Sequence, residues 1–237
     1  MDGRTTEVVE LTKTNSTPSF GKLPSYRRDA VGAMFGNAPI ICGGSHSITE
    51  FDSCISYGDS QWSQSHSMKE KRQYSAGVQI NSTTFWILGG DNGISSLDST
   101  EFIIDGQTNG VSGPKLPYKL YKACAVKLSA QEIFVIGGED DRENDRENDP
   151  NEVWTWIYNP QKGFERNQGP SLKIGRGLHS CSTMKDGDKS LIVVAGGNTY
   201  EASDSVEIYD PTNNTWQSGK TDSQTQKLLN FIIFKLE

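Results

Sequence analysis

The sequence predicts an all-β domain built from repeated units of the propeller kind. A run of apolar residues that ends in two glycines occurs four times, and the glycine pairs begin at positions 43, 89, 137 and 196. Consecutive copies are therefore 46, 48 and 59 residues apart. A period of roughly 40 to 50 residues is typical of propeller blades or of helical arrays, and β-branched runs that stop at glycine exclude the arrays.

The same order of strands returns around each glycine pair. A strand of small residues precedes it, and a strand with an aromatic residue and a turn follows it. Asn159-Pro160 and Asp210-Pro211 predict β-turns before a fourth strand, because Pro fixes φ and Asn or Asp side chains bond the local backbone. The second repeat departs from the pattern, with Phe102-Ile103-Ile104 where a Tyr is expected and no Trp.

The composition of the 237-residue chain excludes several classes of partner. A formal charge of −7 argues against nucleic acid and against an anionic membrane surface. No apolar run approaches the roughly 20 residues of a membrane span. The first residues contain no apolar segment, so we expect no secretory signal in the chain as given.

The fourth repeat carries a known set of motifs, namely Arg176…His179, Gly196-Gly197, Tyr209-Asp210-Pro211 and Trp216. On these residues the chain resembles the kelch-repeat β-propeller family, which the other three repeats match in part. The resemblance implies four-stranded blades around an axis, with the first strand innermost and the ring closed by strands from both termini.

The two ends of the chain decide the expected number of blades. We expect one kelch β-propeller domain over 1–237, with repeats at approximately 25–67, 68–117, 118–170 and 171–220. Residues 1–24 and 221–237 would share a further blade, giving about five. That blade lacks a glycine-pair strand, so it is either incomplete or the chain is part of a larger propeller.

No residue pattern indicates catalysis, a metal site or a bound cofactor. Histidines occur at 46, 66 and 179 without a second His or Cys at ligand spacing. Neither a Gly-x-Ser-x-Gly motif nor a phosphate-binding loop is present. The acidic segment 139–152 predicts a solvated loop, with a calcium loop as the less favoured alternative because EF-hand spacing is missing.

The four cysteines predict one disulfide and two thiols. Cys42 ends a second strand and Cys54 begins the third, so a hairpin would place them side by side. Cys124 and Cys181 are expected to be buried and free. Asn-x-Ser/Thr acceptor sequences begin at Asn15, Asn81 and Asn213 and suggest a glycoprotein, so an extracellular location is slightly favoured over a cytoplasmic one.

Basic residues recur before each first strand, in phase with the repeat. In a propeller these junctions share one face with the turns after the glycine pairs, which predicts a positive collar for an acidic peptide. The alternative is a solvated rim whose cations pair with local carboxylates. The expected partner-binding residues are Arg28, Arg72, Tyr74, Lys119, Lys122, Arg176 and His179.

We therefore expect a non-enzymatic scaffold that binds another protein, in the sharper form an acidic peptide, through one loop face. Two other functions remain open. One is a secreted carbohydrate-binding or carbohydrate-active propeller, for which Trp and Tyr residues are candidate platforms. The other is a structural unit that self-associates through an incomplete blade.

Overall fold

The structure is a computed structural model that describes residues 5–7, 19–139, 155–159, 162–165, 170–199, 202 and 204–219. Every regular element in these ranges is a β-strand, which confirms the all-β prediction. Within the same ranges there is no helix of the length and apolarity needed to cross a membrane.

Four antiparallel sheets of four strands follow a short N-terminal strand pair, and one sheet falls within each of the four repeats. The N-terminal pair is β1 (Thr5–Glu7) and β2 (Ser19–Lys22). The first sheet and the small hairpin inside it comprise β3 (Val31–Phe35), β4 (Ala38–Cys42), the hairpin strands β5 (Ser45–His46) and β6 (Thr49–Glu50), β7 (Ser53–Gly58) and β8 (Gln61–Ser67).

The other three sheets are uninterrupted meanders in which each strand pairs with the next. The second comprises β9 (Ala76–Asn81), β10 (Thr84–Leu88), β11 (Thr100–Ile104) and β12 (Val111–Ser112). The third comprises β13 (Cys124–Lys127), β14 (Ile133–Ile136), β15 (Thr155–Asn159) and β16 (Gly163–Glu165). The fourth comprises β17 (Ser180–Asp186), β18 (Lys189–Ala195), β19 (Val206–Asp210) and β20 (Thr215–Ser218).

The second strand of each sheet is apolar on both faces because both faces are packed. In β18, Ile192 and Val194 join one buried cluster while Val193 and Ala195 join another. A strand buried on both sides reads as a continuous apolar run rather than an alternating one. This explains why the runs before the glycine pairs are the clearest signal in the sequence.

The hydrophobic core lies between consecutive sheets. Trp86 on β10 stacks on Phe102 at 5.2 Å and meets Tyr158 of the third sheet edge-on at 4.6 Å. The second repeat therefore fills its core with a Trp from its second strand. This Trp replaces the aromatic residue that was expected in its fourth strand.

The first strands are in contact from sheet to sheet: β3 with β9, β9 with β13, and β13 with β17. This agrees with first strands that lie nearest a common axis. The sheets do not close into a ring within the described residues, so a propeller of about five blades stays a prediction. Strands β1 and β2 pair antiparallel within residues 1–24, which were expected to contribute to the shared blade. The other expected contributor, the C-terminal segment 221–237, lies outside the described residues.

Candidate functional site: the loop face

The loops that follow the glycine pairs lie against the segments that lead into the first strands of the next repeat. Three backbone hydrogen bonds make this connection, from Gly44 N–H to Arg72 O (2.8 Å), Gly90 N–H to Leu120 O (2.8 Å) and Gly138 N–H to Arg176 O (3.0 Å). We call the surface formed by these loops and lead-in segments the loop face.

Glycine is needed where the loops meet the lead-in segments. Gly44 has φ +85°, and a Cβ there would lie 2.6 Å from the carbonyl oxygen of Arg28. Both the backbone conformation and the close approach exclude a side chain.

A line of hydrogen bonds runs from one lead-in segment to the next. Asp29, Tyr74, Lys122 and Leu178 occupy equivalent positions and all have positive φ, between 53° and 59°. Tyr74 N donates to Asp29 O at 2.9 Å, Lys122 N to Tyr74 O at 2.8 Å and Leu178 N to Lys122 O at 2.9 Å. We call these four residues the lead-in belt. Left-handed backbone in residues other than glycine is held only where surrounding contacts impose it, and here the belt itself supplies them.

The side chain of Arg72 is not exposed on the loop face, contrary to its expected role. Its side chain is fully buried and its guanidinium binds Gly89 O at 2.7 Å and Glu101 Oε1 at 2.8 Å. Ser99 accepts two further hydrogen bonds, through its carbonyl and its hydroxyl. The arginine therefore joins the end of the second strand to the start of the third.

Arg176 repeats this arrangement in the fourth repeat, also with a fully buried side chain. Its partners are Gly196 O (2.7 Å), Ser205 Oγ (2.9 Å) and Glu207 Oε1 (2.9 Å). The expectation that Arg72 and Arg176 offer free guanidinium groups to an acidic partner is wrong, because each already has a buried carboxylate.

Sequence reasoning missed the two carboxylates that complete these sites. Glu101 accepts from the backbone N–H of Lys69 at 2.7 Å and Glu70 at 3.1 Å. Glu207 does the same with two residues of its own lead-in segment, Lys173 N (2.7 Å) and Ile174 N (3.2 Å). Each Arg–Glu pair thus ties the connection from the previous repeat to its own sheet.

The signal for these sites was present as a Ser-x-Glu sequence at the start of the third strand, at 99–101 and 205–207. The first repeat keeps the arginine and serine without the glutamate: Arg27 binds Gly43 O at 2.8 Å and Ser53 Oγ at 2.6 Å. In the third repeat Leu120 takes the arginine position and packs into the apolar cluster between sheets two and three.

Arg28, beside the lead-in belt, and Lys122, within it, each lie next to a carboxylate. Arg28 is half exposed and lies 3.6 Å from the Asp29 carboxylate. Burial raises the pKa of Tyr74, and so does the neighbouring Asp29, to which its hydroxyl is hydrogen-bonded. Lys122 forms an ion pair with Glu139 at 2.7 Å. Arg28 and Lys122 therefore lie beside carboxylates, as the solvated-rim alternative expects.

Glu139 is the only residue of the acidic segment 139–152 within the described ranges. Burial favours its neutral form, but hydrogen bonds from Lys122 and Asn198 outweigh this and lower its pKa. Asn198 Nδ2 lies 2.8 Å from its carboxylate. The start of the acidic segment thus bridges the third and fourth repeats.

His179 is buried, and Lys119 is exposed. Desolvation, helped by the positive charge of Arg176, lowers the pKa of His179 to about 3. A Cβ on Gly137 would lie 2.4 Å from its Cε1, so the ring packs directly on the glycine pair of the preceding repeat. The structure places His179 inside the fold rather than on a partner-binding surface.

Two isoleucines stand out on the loop face. Ile48 is 90% exposed and Ile94 is 88% exposed. Each is the fourth residue after its glycine pair, so they occupy equivalent loop tips in the first and second repeats. The two loops meet where Gly93 faces the Glu50 carboxylate, since a Cβ there would lie 2.5 Å from Glu50 Oε2.

All four cysteines are within bonding distance of a partner. Cys42 and Cys54 face each other across β4 and β7, with sulfur atoms 2.05 Å apart, as the hairpin predicted. Cys124 and Cys181 lie on neighbouring first strands with sulfur atoms 2.09 Å apart. The expectation of two free thiols is wrong, because the lateral packing of β13 against β17 brings their side chains together.

Trp62, Trp86 and Trp216 are all buried in the core, so none of these three offers a surface for a sugar ring. Among the described residues no three His, Cys, Asp or Glu side chains are grouped so that they could hold a metal ion.

A kelch motif matches residues 188–222, which contain β18, β19 and β20. No curated protein matches the chain. The match covers the second to fourth strands of the fourth sheet and confirms the resemblance to the kelch-repeat family.

Proposed function

We propose that this kelch-repeat chain is a non-enzymatic interaction module whose protein partner binds the loop face. Kelch motifs are protein-interaction motifs in general, and the observation that carries the proposal is the pair of exposed isoleucines, Ile48 and Ile94. Large apolar side chains buried at the centre of an interface supply much of its binding energy.

The loop that carries Ile94 is held in place by two of its own side chains. Asn92 Oδ1 accepts from the N–H groups of Ile94 and Ser95, both at 2.9 Å, and Asp91 Oδ1 accepts from Gly93 N–H at 2.8 Å. A loop fixed by its own side chains loses little entropy on binding. Burying one isoleucine side chain contributes about 1.5–3 kcal/mol, so two tips would supply about 3–6 kcal/mol toward the cost of association.

Arg28 and Lys71 are exposed cations that an acidic group of the partner could contact. Their side chains are 54% and 47% exposed, and both lie on the loop face next to their own carboxylates, Asp29 and Glu50. A partner with an apolar anchor and a nearby carboxylate would meet both features. Because these cations are already paired, we expect them to change association rate and salt dependence more than affinity.

The test replaces each isoleucine with aspartate in the full chain and measures binding of partners recovered by affinity capture. Ile48→Asp and Ile94→Asp should each weaken binding at least tenfold, which is about 1.4 kcal/mol. Val111→Asp is the matched control, because Val111 is also an exposed aliphatic residue but lies on the fourth strand of the second sheet. Unchanged binding by both isoleucine variants would contradict the proposal.

A further inference from the structure

The turn between β9 and β10 presents an acceptor sequence for N-linked glycan, Asn81-Ser82-Thr83, in which all three residues are exposed. We propose that Asn81 is glycosylated when the chain passes through a secretory compartment. The donor of the glycan is a lipid-pyrophosphate-linked oligosaccharide. That compartment supplies both this donor and the transferase.

Two hydrogen bonds organise the side chains of the turn. Asn81 Oδ1 accepts from Thr83 N–H at 2.9 Å and from Thr83 Oγ1 at 3.0 Å, which sets the threonine hydroxyl against the asparagine carboxamide. Asn81 is exposed, and within the described ranges its Nδ2, the nitrogen that must form the new bond, donates no hydrogen bond.

The backbone of the turn is held while its side chains project. Ser82 O accepts from Gly36 N–H at 2.7 Å and Thr83 O accepts from Asp105 N–H at 2.9 Å. These bonds anchor the turn to the first repeat on one side and to the third strand of its own sheet on the other. A glycan on Asn81 would therefore leave the packing of both sheets unchanged.

The acceptor sequence at Asn213 has a different environment. Asn213 Nδ2 donates to Asp210 Oδ2 at 3.3 Å, inside the turn between β19 and β20. Its neighbour Asn214 has φ +51° and accepts from Tyr209 Oη at 2.9 Å. Here the carboxamides are part of the turn. The sequence beginning at Asn15 lies outside the described residues.

The cysteine pairs indicate the kind of compartment in which Asn81 would be modified. Two pairs at bonding distance, Cys42–Cys54 and Cys124–Cys181, are typical of proteins that fold in oxidising surroundings, where N-linked glycans are also added. In the transfer, Asn81 Nδ2 bonds to C1 of the first sugar and loses one proton. The C1–oxygen bond to the lipid pyrophosphate breaks, and the pyrophosphate leaves with the bonding electrons.

The position of Asn81 keeps the glycan away from the loop face. The turn at 82–83 and the loop after Leu88 lie at opposite ends of β10. At about 3.3 Å per residue, the strand separates them by roughly 13 Å. Glycosylation at Asn81 is therefore compatible with a partner bound at Ile48 and Ile94.

The experiment secretes the full chain from eukaryotic cells behind an added leader, then compares intact mass and peptide maps before and after enzymatic removal of N-glycans. We expect Asn81 to carry one oligosaccharide and to be converted to Asp on removal. Asn81→Gln and Thr83→Ala should both abolish it, whereas Ser82→Ala, which preserves the acceptor sequence, should not. Secreted wild-type protein with both disulfides formed and Asn81 unmodified would overturn the proposal.

Discussion

Replacing Arg176 with methionine should strongly destabilise the protein, because it leaves a buried carboxylate without its cation. The guanidinium is fully buried and lies 2.9 Å from Glu207, whose side chain is 1% exposed. After the substitution Glu207 keeps only two backbone donors, Lys173 N–H at 2.7 Å and Ile174 N–H at 3.2 Å. The Gly196 carbonyl also loses its Arg176 donor, whereas the Ser205 carbonyl keeps the Gly196 N–H at 3.1 Å.

Breaking one partner of a buried ion pair costs about 3–5 kcal/mol in the free energy of unfolding. The cost arises mainly from the charge left behind, so the double variant Arg176→Met/Glu207→Gln should lose much less than the sum of the single changes. We expect a coupling free energy of about 1–3 kcal/mol between the two positions. Arg72 and Glu101 form the same arrangement and should show the same non-additivity.

The assay is urea unfolding at pH 7, followed by tryptophan fluorescence, with the slope of free energy against urea checked for constancy. The control is Lys115→Met, which removes a surface ion pair to Asp98 of similar length, 2.9 Å, with side chains 74% and 35% exposed. That change should cost less than about 1 kcal/mol. If Arg176→Met costs no more than the control, the buried pair does not hold the repeats together.

Two further predictions concern pH and the disulfides. Folding lowers the pKa of His179 to about 3, below the roughly 6.5 of an unfolded histidine, so protonation favours the unfolded chain. Its stabilising contribution should be complete above about pH 6.5 and lost as pH falls toward 3. Urea midpoints measured across that window should fall less steeply for His179→Gln than for wild type. Loss of the Cys124–Cys181 link, which closes 57 residues, should cost about 4 kcal/mol. Loss of Cys42–Cys54, which closes 12, should cost about 3 kcal/mol, and equal costs for Cys181→Ser and Cys54→Ser would contradict the loop-entropy argument.

The sequence predicted those features that depend on neighbours in the chain. The four second strands were recognisable because they are apolar on both faces, and the pairing of Cys42 with Cys54 follows from a single hairpin. That the glycine-pair turns and the lead-in segments share one face was also expected, from the reversal of direction at every strand.

What the sequence could not predict depends on packing between repeats. A basic residue at a fixed phase of the repeat looks the same whether it is exposed, as Arg28 is, or buried, as Arg72 is. The partner that decides the matter, Glu101, is 29 residues away. The link between Cys124 and Cys181 likewise depends on how closely β13 approaches β17, which no local pattern records.

These corrections move the candidate interaction site from the centre of the loop face to its tips. The lead-in segments use their charges internally, through Arg72 with Glu101, Arg176 with Glu207 and Lys122 with Glu139. Such pairs hold the repeats in place, and their cations already face carboxylates. A nearly fully exposed isoleucine contributes nothing to the core. Two of them at equivalent loop tips are the observation on which the proposed partner contact rests.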